Sequence, residues 1–222
     1  MKKQQSGFTL VEIAIVLVII GLLLGGVLKG QELVNSAKVK NFVSDFKAIP
    51  LFIYGYQDKY KALPGDDVQA VTHLGATATL TPTAATLGNG RIEGNYNSVA
   101  ATDESVAFWQ QVRLANLASG ATDFSSAAAI AAAVPRNADG GRIGIQSTAP
   151  ITGMTGSYFV CSDAVQGKFA KQADITMDDG NTATGSVRVM PSGYTGTAQA
   201  AIPTTGTGGI VDDATYTICV SF

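Results

Sequence analysis

From Phe8 to Leu28 the chain runs for 21 residues in which only Thr9 and Glu12 are neither apolar nor glycine. At about 1.5 Å rise per residue, a helix of that length spans about 31 Å, close to the roughly 30 Å hydrocarbon core of a bilayer. Such a segment must be covered by lipid or by protein. A carboxylate inside it costs about 2.5–3.5 kcal/mol at mid-bilayer, so Glu12 marks function and calls for a partner. Ahead of the run lies a short basic hexapeptide, Met1-Lys2-Lys3-Gln4-Gln5-Ser6, followed by Gly7. The positive-inside rule keeps that end in the cytoplasm and sends the remainder outward. A secretory signal peptide carries its small-residue cleavage site after the apolar region. Here the small residue precedes it, and a cut between Gly7 and Phe8 would remove the charges and leave the apolar helix as the new N-terminus. The competing reading is an ordinary signal anchor with a tolerated interfacial glutamate.

Past Leu28 the pattern changes. Val39, Phe42, Phe46, Ile49, Ile53, Tyr56 and Tyr60 recur at alternating spacings of three and four, with Lys38, Lys40, Lys47, Asp58, Lys59 and Lys61 off that stripe. This predicts an amphipathic continuation of the helix to about Tyr60, ended by Leu63-Pro64-Gly65-Asp66. Pro50 is expected to kink it or remove one backbone hydrogen bond. Gly21, Gly25, Gly26 and Gly30 each cost about 1 kcal/mol against alanine, which suggests a helix able to stretch or melt locally in an assembly. The expected organisation is a leader at 1–7, a transmembrane or filament-core helix at 8–28, its amphipathic continuation at 29–62, and a globular domain at 63–222.

In that domain, 66–101 reads mostly as loop, with a turn at Gly88-Asn89-Gly90-Arg91. Thr102-Asp103-Glu104-Ser105 reads as a cap before a helix over Val106–Leu117, stopped by Gly120. An alanine-rich helix is expected between Ser126 and Val134, before Pro135. Strand-like runs follow at Arg142–Gln146, Ser157–Cys161, Ser186–Met190 and Thr215–Phe222; the last alternates Tyr216, Ile218, Val220 and Phe222 against Thr215, Thr217, Cys219 and Ser221. The expected fold class is α+β, with an antiparallel sheet laid on the outer half of the long helix as a two-layer core.

Charged residues make up only 14% of the chain, and the formal net charge of −2 becomes −4 once Lys2 and Lys3 are lost. Nothing in that balance points to a nucleic-acid surface. The two cysteines, Cys161 and Cys219, lie in a domain sent outward, where a disulfide is the default and free thiols or a metal pair are the alternatives. Asp178-Asp179-Gly180-Asn181, with Asp66 or Asp67, offers hard oxygen ligands for Ca²⁺, but the spacing is not that of an EF-hand and Asp-Gly is first a turn signal. Asp174 and Asp178 are a conceivable carboxylate pair. The single histidine, His73, reads as a surface or turn residue, because no nucleophile-elbow motif accompanies it. Phe108 and Trp109 read as core. No cofactor, no catalytic residue and no enzymatic activity are expected.

The segment SGFTLVEIAIVLVIIGLLLGGVL resembles the N-terminus of type IV prepilins and type II secretion pseudopilins. It covers about the first tenth of the chain. The resemblance implies cleavage by a prepilin peptidase between Gly7 and Phe8, N-methylation of Phe8, and use of Glu12 to neutralise the terminal amine of a neighbouring subunit. In physical terms, Phe8 and Glu12 lie one turn apart on one helix face, and pairing two otherwise uncompensated charges offsets much of their desolvation cost. The resemblance further implies a pilin-like fold and a disulfide fastening the C-terminal region. More loosely, YKALPGD, GNGRIEG, FWQQVRLANL and MDDGNTATGSVRV are similar to stretches of bacterial pilin-like proteins. The chain departs from the major secretion pseudopilin in lacking that group's calcium-site signature near the C-terminus, which weighs against the pseudopilin assignment.

The expected function is therefore a structural subunit of a type IV pilus or pilus-like filament. The implied partners are copies of itself in a helical filament, other pilins, the peptidase and an inner-membrane assembly platform. The expected location is the inner membrane as a single-pass precursor with a cytoplasmic N-terminus, then an extracellular pilus or periplasmic pseudopilus. The alternatives are a type II secretion pseudopilin, or a monomeric membrane-anchored periplasmic binding protein.

Overall fold

The structure, a computed structural model, describes residues 9–76, 78, 80, 82–83 and 85–222, so Gly7 and Phe8 lie outside the described residues. It divides into two compact units, Met1–Lys38 and Val39–Phe222. In the first, the described residues from Leu10 onward are helical and every one through Ala37 is exposed. They begin α1, an α-helix that spans Leu10–Tyr60 and runs uninterrupted through the four glycines and Pro50. This helix meets the length and composition needed to cross a membrane.

In the second unit α1 obeys the three-four rhythm. Val39, Phe42, Phe46, Ile49, Ile53 and Tyr56 are buried, while Lys40, Lys47, Asp58 and Lys59 are exposed. Each fully buried large apolar side chain contributes about 1.5–3 kcal/mol, so this stripe holds the helix in place without help from intrinsic propensity. It shares one core with α3 (Glu104–Leu114), α4 (Ala127–Ala133), α5 (Gly167–Met177) and the sheet. A short α2 spans Ala70–Leu74.

The sheet has four strands, β1 (Ile143–Gln146), β2 (Phe159–Gln166), β3 (Val187–Pro191) and β4 (Thr215–Ser221), in the order β1-β2-β4-β3 and antiparallel throughout. The last strand of the chain is thus inserted between β2 and β3. A register shift between Ser162 and Val165 bends β2, with Ala164 at φ 55°. One sheet face packs on the helices. The other carries a smaller apolar cluster containing Tyr96, Ile151, Met154, Met190 and Tyr194. That second cover adds to the expected two-layer core, and it explains why Thr217 and Cys219, on the polar side of the β4 alternation, are fully buried.

Three local expectations are corrected. The α3 helix begins at Glu104 and ends at Leu114, earlier than the Val106–Leu117 reading. Asn116, at φ 61°, supplies the left-handed turn expected of Gly120, a role its short polar side chain tolerates. Asp103 is the N-cap residue but caps through no side-chain hydrogen bond; instead the Ser105 amide donates to the Glu93 carbonyl. Helix α5 was not foreseen at all.

Candidate functional site

At the start of α1, Glu12 is bound to its own helix. Its Oε2 accepts hydrogen bonds from the Thr9 amide and from Thr9 Oγ1, both at 2.8 Å, and the Glu12 amide donates to Thr9 Oγ1 at 3.3 Å. This reciprocal Thr-x-x-Glu arrangement is a capping box, which satisfies donors that a helix start leaves free. Thr9 is the residue sequence reasoning missed, although the Thr9–Glu12 spacing is itself the signal. Beyond this turn the apolar side chains stand bare: Leu10 is 91% exposed and the least exposed isoleucine, Ile20, is 46% exposed. Among the described residues of the first unit, nothing covers them.

Cys161 and Cys219 face each other directly across β2 and β4 and form a disulfide, with Cα atoms 4.1 Å apart. The link ties the final strand to the sheet centre. Closing its 58-residue loop stabilises the fold by about 4 kcal/mol on the chain-entropy account.

The domain also gathers acids. Asp174, Asp178 and Asp179 bring carboxylate oxygens within 4.8 Å of one another at the end of α5. Asp178 Oδ2 accepts from the Val187 amide at 2.9 Å; Asp179 accepts from the Asn181 amide at 2.8 Å and from Thr184 Oγ1 at 2.9 Å. Gly185, at φ 71°, lets the loop close, since a Cβ there would lie 1.9 Å from Asp178 Oδ2. Asp174 differs from its neighbours: it is fully buried, and neither of its oxygens has a hydrogen-bond partner. Burial pushes its carboxyl up to about 7, reinforced by the charges of Asp179 and Asp178, while the nearby Gly180 amide gives partial relief. Asp66 and Asp67 do not join this group. Asp66 accepts from the Gly88 and Gly90 amides, and Asp67 accepts from Tyr56 Oη at 2.7 Å and the Gln69 amide at 2.8 Å. Both acids organise the 63–94 loop, which explains their burial.

A second carboxylate pair involves Glu93 and Glu104. Glu104 Oε2 accepts from the Glu93 amide at 3.0 Å and its Oε1 from Thr86 Oγ1 at 2.8 Å. Burial, then its neighbour Glu93, pushes Glu104 up to about 7. Glu93 Oε2 is buried without a partner. The carboxyl of Glu93 is held below its ordinary value while that of Glu104 is raised, so Glu104 is the member of the pair that keeps a proton, between the 88–94 turn and the start of α3.

His73 lies on α2, with Nδ1 at 2.7 Å from Asp67 Oδ2 and its ring stacked on Tyr60 at 5.1 Å. It is thus a partly buried helix residue, not the turn residue expected, and it pins α2 to the end of α1. Phe108 and Trp109 are core, packed edge-to-face at 5.1 Å. A cleft of about 360 Å³ opens near Tyr54, Gln57, Ser157, Tyr158 and Phe222, with no Asp, Glu, Lys, Arg or His side chain among its lining residues.

Among curated proteins, no match to this chain was found. Residues 2–28 match the prokaryotic N-terminal methylation motif. That stretch holds Gly7, Phe8 and Glu12 together with the apolar turns left uncovered in the first unit. With a membrane-capable helix, an α+β fold and a disulfide-tied final strand, it makes this chain similar to prepilins of the type IV pilin and pseudopilin kind, and the apolar helix fits membrane anchoring as a precursor.

Proposed function

We propose that the chain is a structural subunit of a type IV pilus or pilus-like filament, cut between Gly7 and Phe8, N-methylated on Phe8, and polymerised through α1. The observation that carries this reading is the uncovered apolar surface of α1. From Leu10 to Leu28 its large apolar side chains find no cover in their own unit. In the precursor, lipid covers them; on leaving the membrane, only other helices can. Glu12 is the sole ionisable group in that surface. When a neighbouring copy brings the Phe8 amine, Glu12 exchanges its bonds to Thr9 for a full counter-charge, and the pairing fixes the stagger between subunits.

Polymerisation needs copies of this chain or other pilins, an inner-membrane platform to extract them, and a prepilin peptidase to expose the amine. The product is an extracellular pilus; a periplasmic pseudopilus of a type II secretion system would use the same N-terminal machinery. A monomeric binding protein would need converging polar groups in a pocket, and no acidic or basic side chain lines the cleft beside Tyr158. Replacing Glu12 by alanine tests the proposal. The variant is expected in the membrane fraction at normal abundance and absent from sheared filaments; filaments at the normal level would refute the role given to Glu12.

A further inference from the structure

We propose that Asp174, Asp178 and Asp179 form a calcium site that locks the end of α5 to the loop leading into β3. Clustered acids alone are common on surfaces, and two of these three have ordinary loop roles. Asp174 has none. Its side chain is fully buried, neither oxygen makes a hydrogen bond of ordinary geometry, the Gly180 amide gives only partial relief, and its carboxylate lies within 4.8 Å of the other two. An ionised carboxylate so placed is strongly unfavourable without a compensating charge.

The local field adds to the problem. The three acids sit in and just after the last turn of α5, the negative end of the helix dipole, and that turn carries no basic residue. Arg188 acts favourably on Asp179, at the exposed end of the group. For the buried Asp174, however, the charges that act are those of Asp179 and Asp178. A divalent cation meets all these demands together, giving Asp174 a partner, cancelling the mutual repulsion and opposing the dipole.

The donor set selects the metal. All three ligands are carboxylates, with no imidazole or thiolate, which suits a hard cation and not zinc or copper. The burial gradient, from enclosed Asp174 through half-buried Asp178 to exposed Asp179, lets an ion enter from the solvent side and keep some water. Calcium, with its flexible coordination number, is the expected occupant, at the 10⁻⁴–10⁻³ M affinity typical of extracytoplasmic modules. The site belongs wholly to the second unit, and its validity does not depend on the filament proposal.

The test uses the full chain in detergent, stripped with chelator and then titrated with calcium chloride, with magnesium chloride in parallel. Wild type is expected to melt about 3–8 °C higher at saturating calcium, to show one binding event per chain by calorimetry, and to respond more weakly to magnesium. Asp174→Asn is expected to lose both the shift and the binding heat, while melting no lower than chelator-treated wild type, which establishes that it is folded. Asp179→Asn should weaken binding by about tenfold or more, as loss of one of three charged ligands implies. Wild type with no calcium heat and no shift, or with a shift that Asp174→Asn retains in full, overturns the proposal.

Discussion

Ile19 and Ile53 belong to the same helix, yet Ile19 is 51% exposed while Ile53 is 1% exposed. The contrast holds for the units they represent. Val39–Phe222 closes on itself: two apolar clusters, a four-stranded sheet with its last strand in the middle, and a disulfide across it. In Met1–Lys38 the large apolar side chains from Leu10 to Leu28 stay exposed, and the polar contacts along this stretch include the Thr9–Glu12 capping box and a Lys29–Glu32 ion pair. A sequence can therefore be complete in one region and deliberately incomplete in another. On the filament proposal, the incomplete region is where assembly supplies what folding does not.

The largest expected effect on that contrast comes from the disulfide. Replacing Cys161 and Cys219 together by serine should destabilise the domain by about 4 kcal/mol, measured by thermal melting, with added reductant doing the same to wild type. It should leave membrane insertion unchanged. Next in size, Ile53→Ala should cost about 3 kcal/mol in the same melt, whereas Ile19→Ala, chemically identical, should leave domain melting within about 0.5 kcal/mol. Equal losses at the two sites would erase the distinction between the units.

A smaller and pH-dependent effect belongs to the Glu93–Glu104 clasp. Glu104 has a folded-state pKa of about 7, above its ordinary value of 4.5. The folded state thus holds more protons than the unfolded one between those values, and stability falls as pH rises through that window. The group's contribution is complete below the unfolded pKa and lost above the folded one. Glu104→Gln, which keeps the donor and removes the charge, should raise stability at pH 8 by about 2 kcal/mol and flatten the decline between pH 4.5 and 7. A steeper decline would contradict a proton held on Glu104. The smallest effect is expected at Thr9→Val, which breaks the capping box at a cost of about 1 kcal/mol. Hydrogen exchange at the first turn of α1 should speed up several-fold, with no change in domain melting.

Much of this division was legible in the residues. The apolar run and the three-four spacing from Val39 to Tyr60 impose a helix whatever surrounds them, and all four strand-like runs became strands. Helix α5 was illegible for a physical reason. Its sequence opens on Gly167, its N-cap Gln166 makes no capping bond, and its buried face is built from Phe169, Ala170, Ala173 and Asp174, too small and too polar to announce a stripe. Packing against the sheet decides that segment, since propensity does not. The acidic group inherits the same blindness: Asp178 and Asp179 read as a turn, and only the position of α5 buries Asp174 behind them. Glu104 likewise read as a cap residue, because its burial depends on a loop that arrives from ten residues upstream.

Mass spectrometry of sheared surface filaments tests the central claim most directly. The account predicts this chain in the filaments, beginning with an N-methylated Phe8 and lacking residues 1–7. Filaments built without it, or a mature chain that still begins at Met1, would contradict the account.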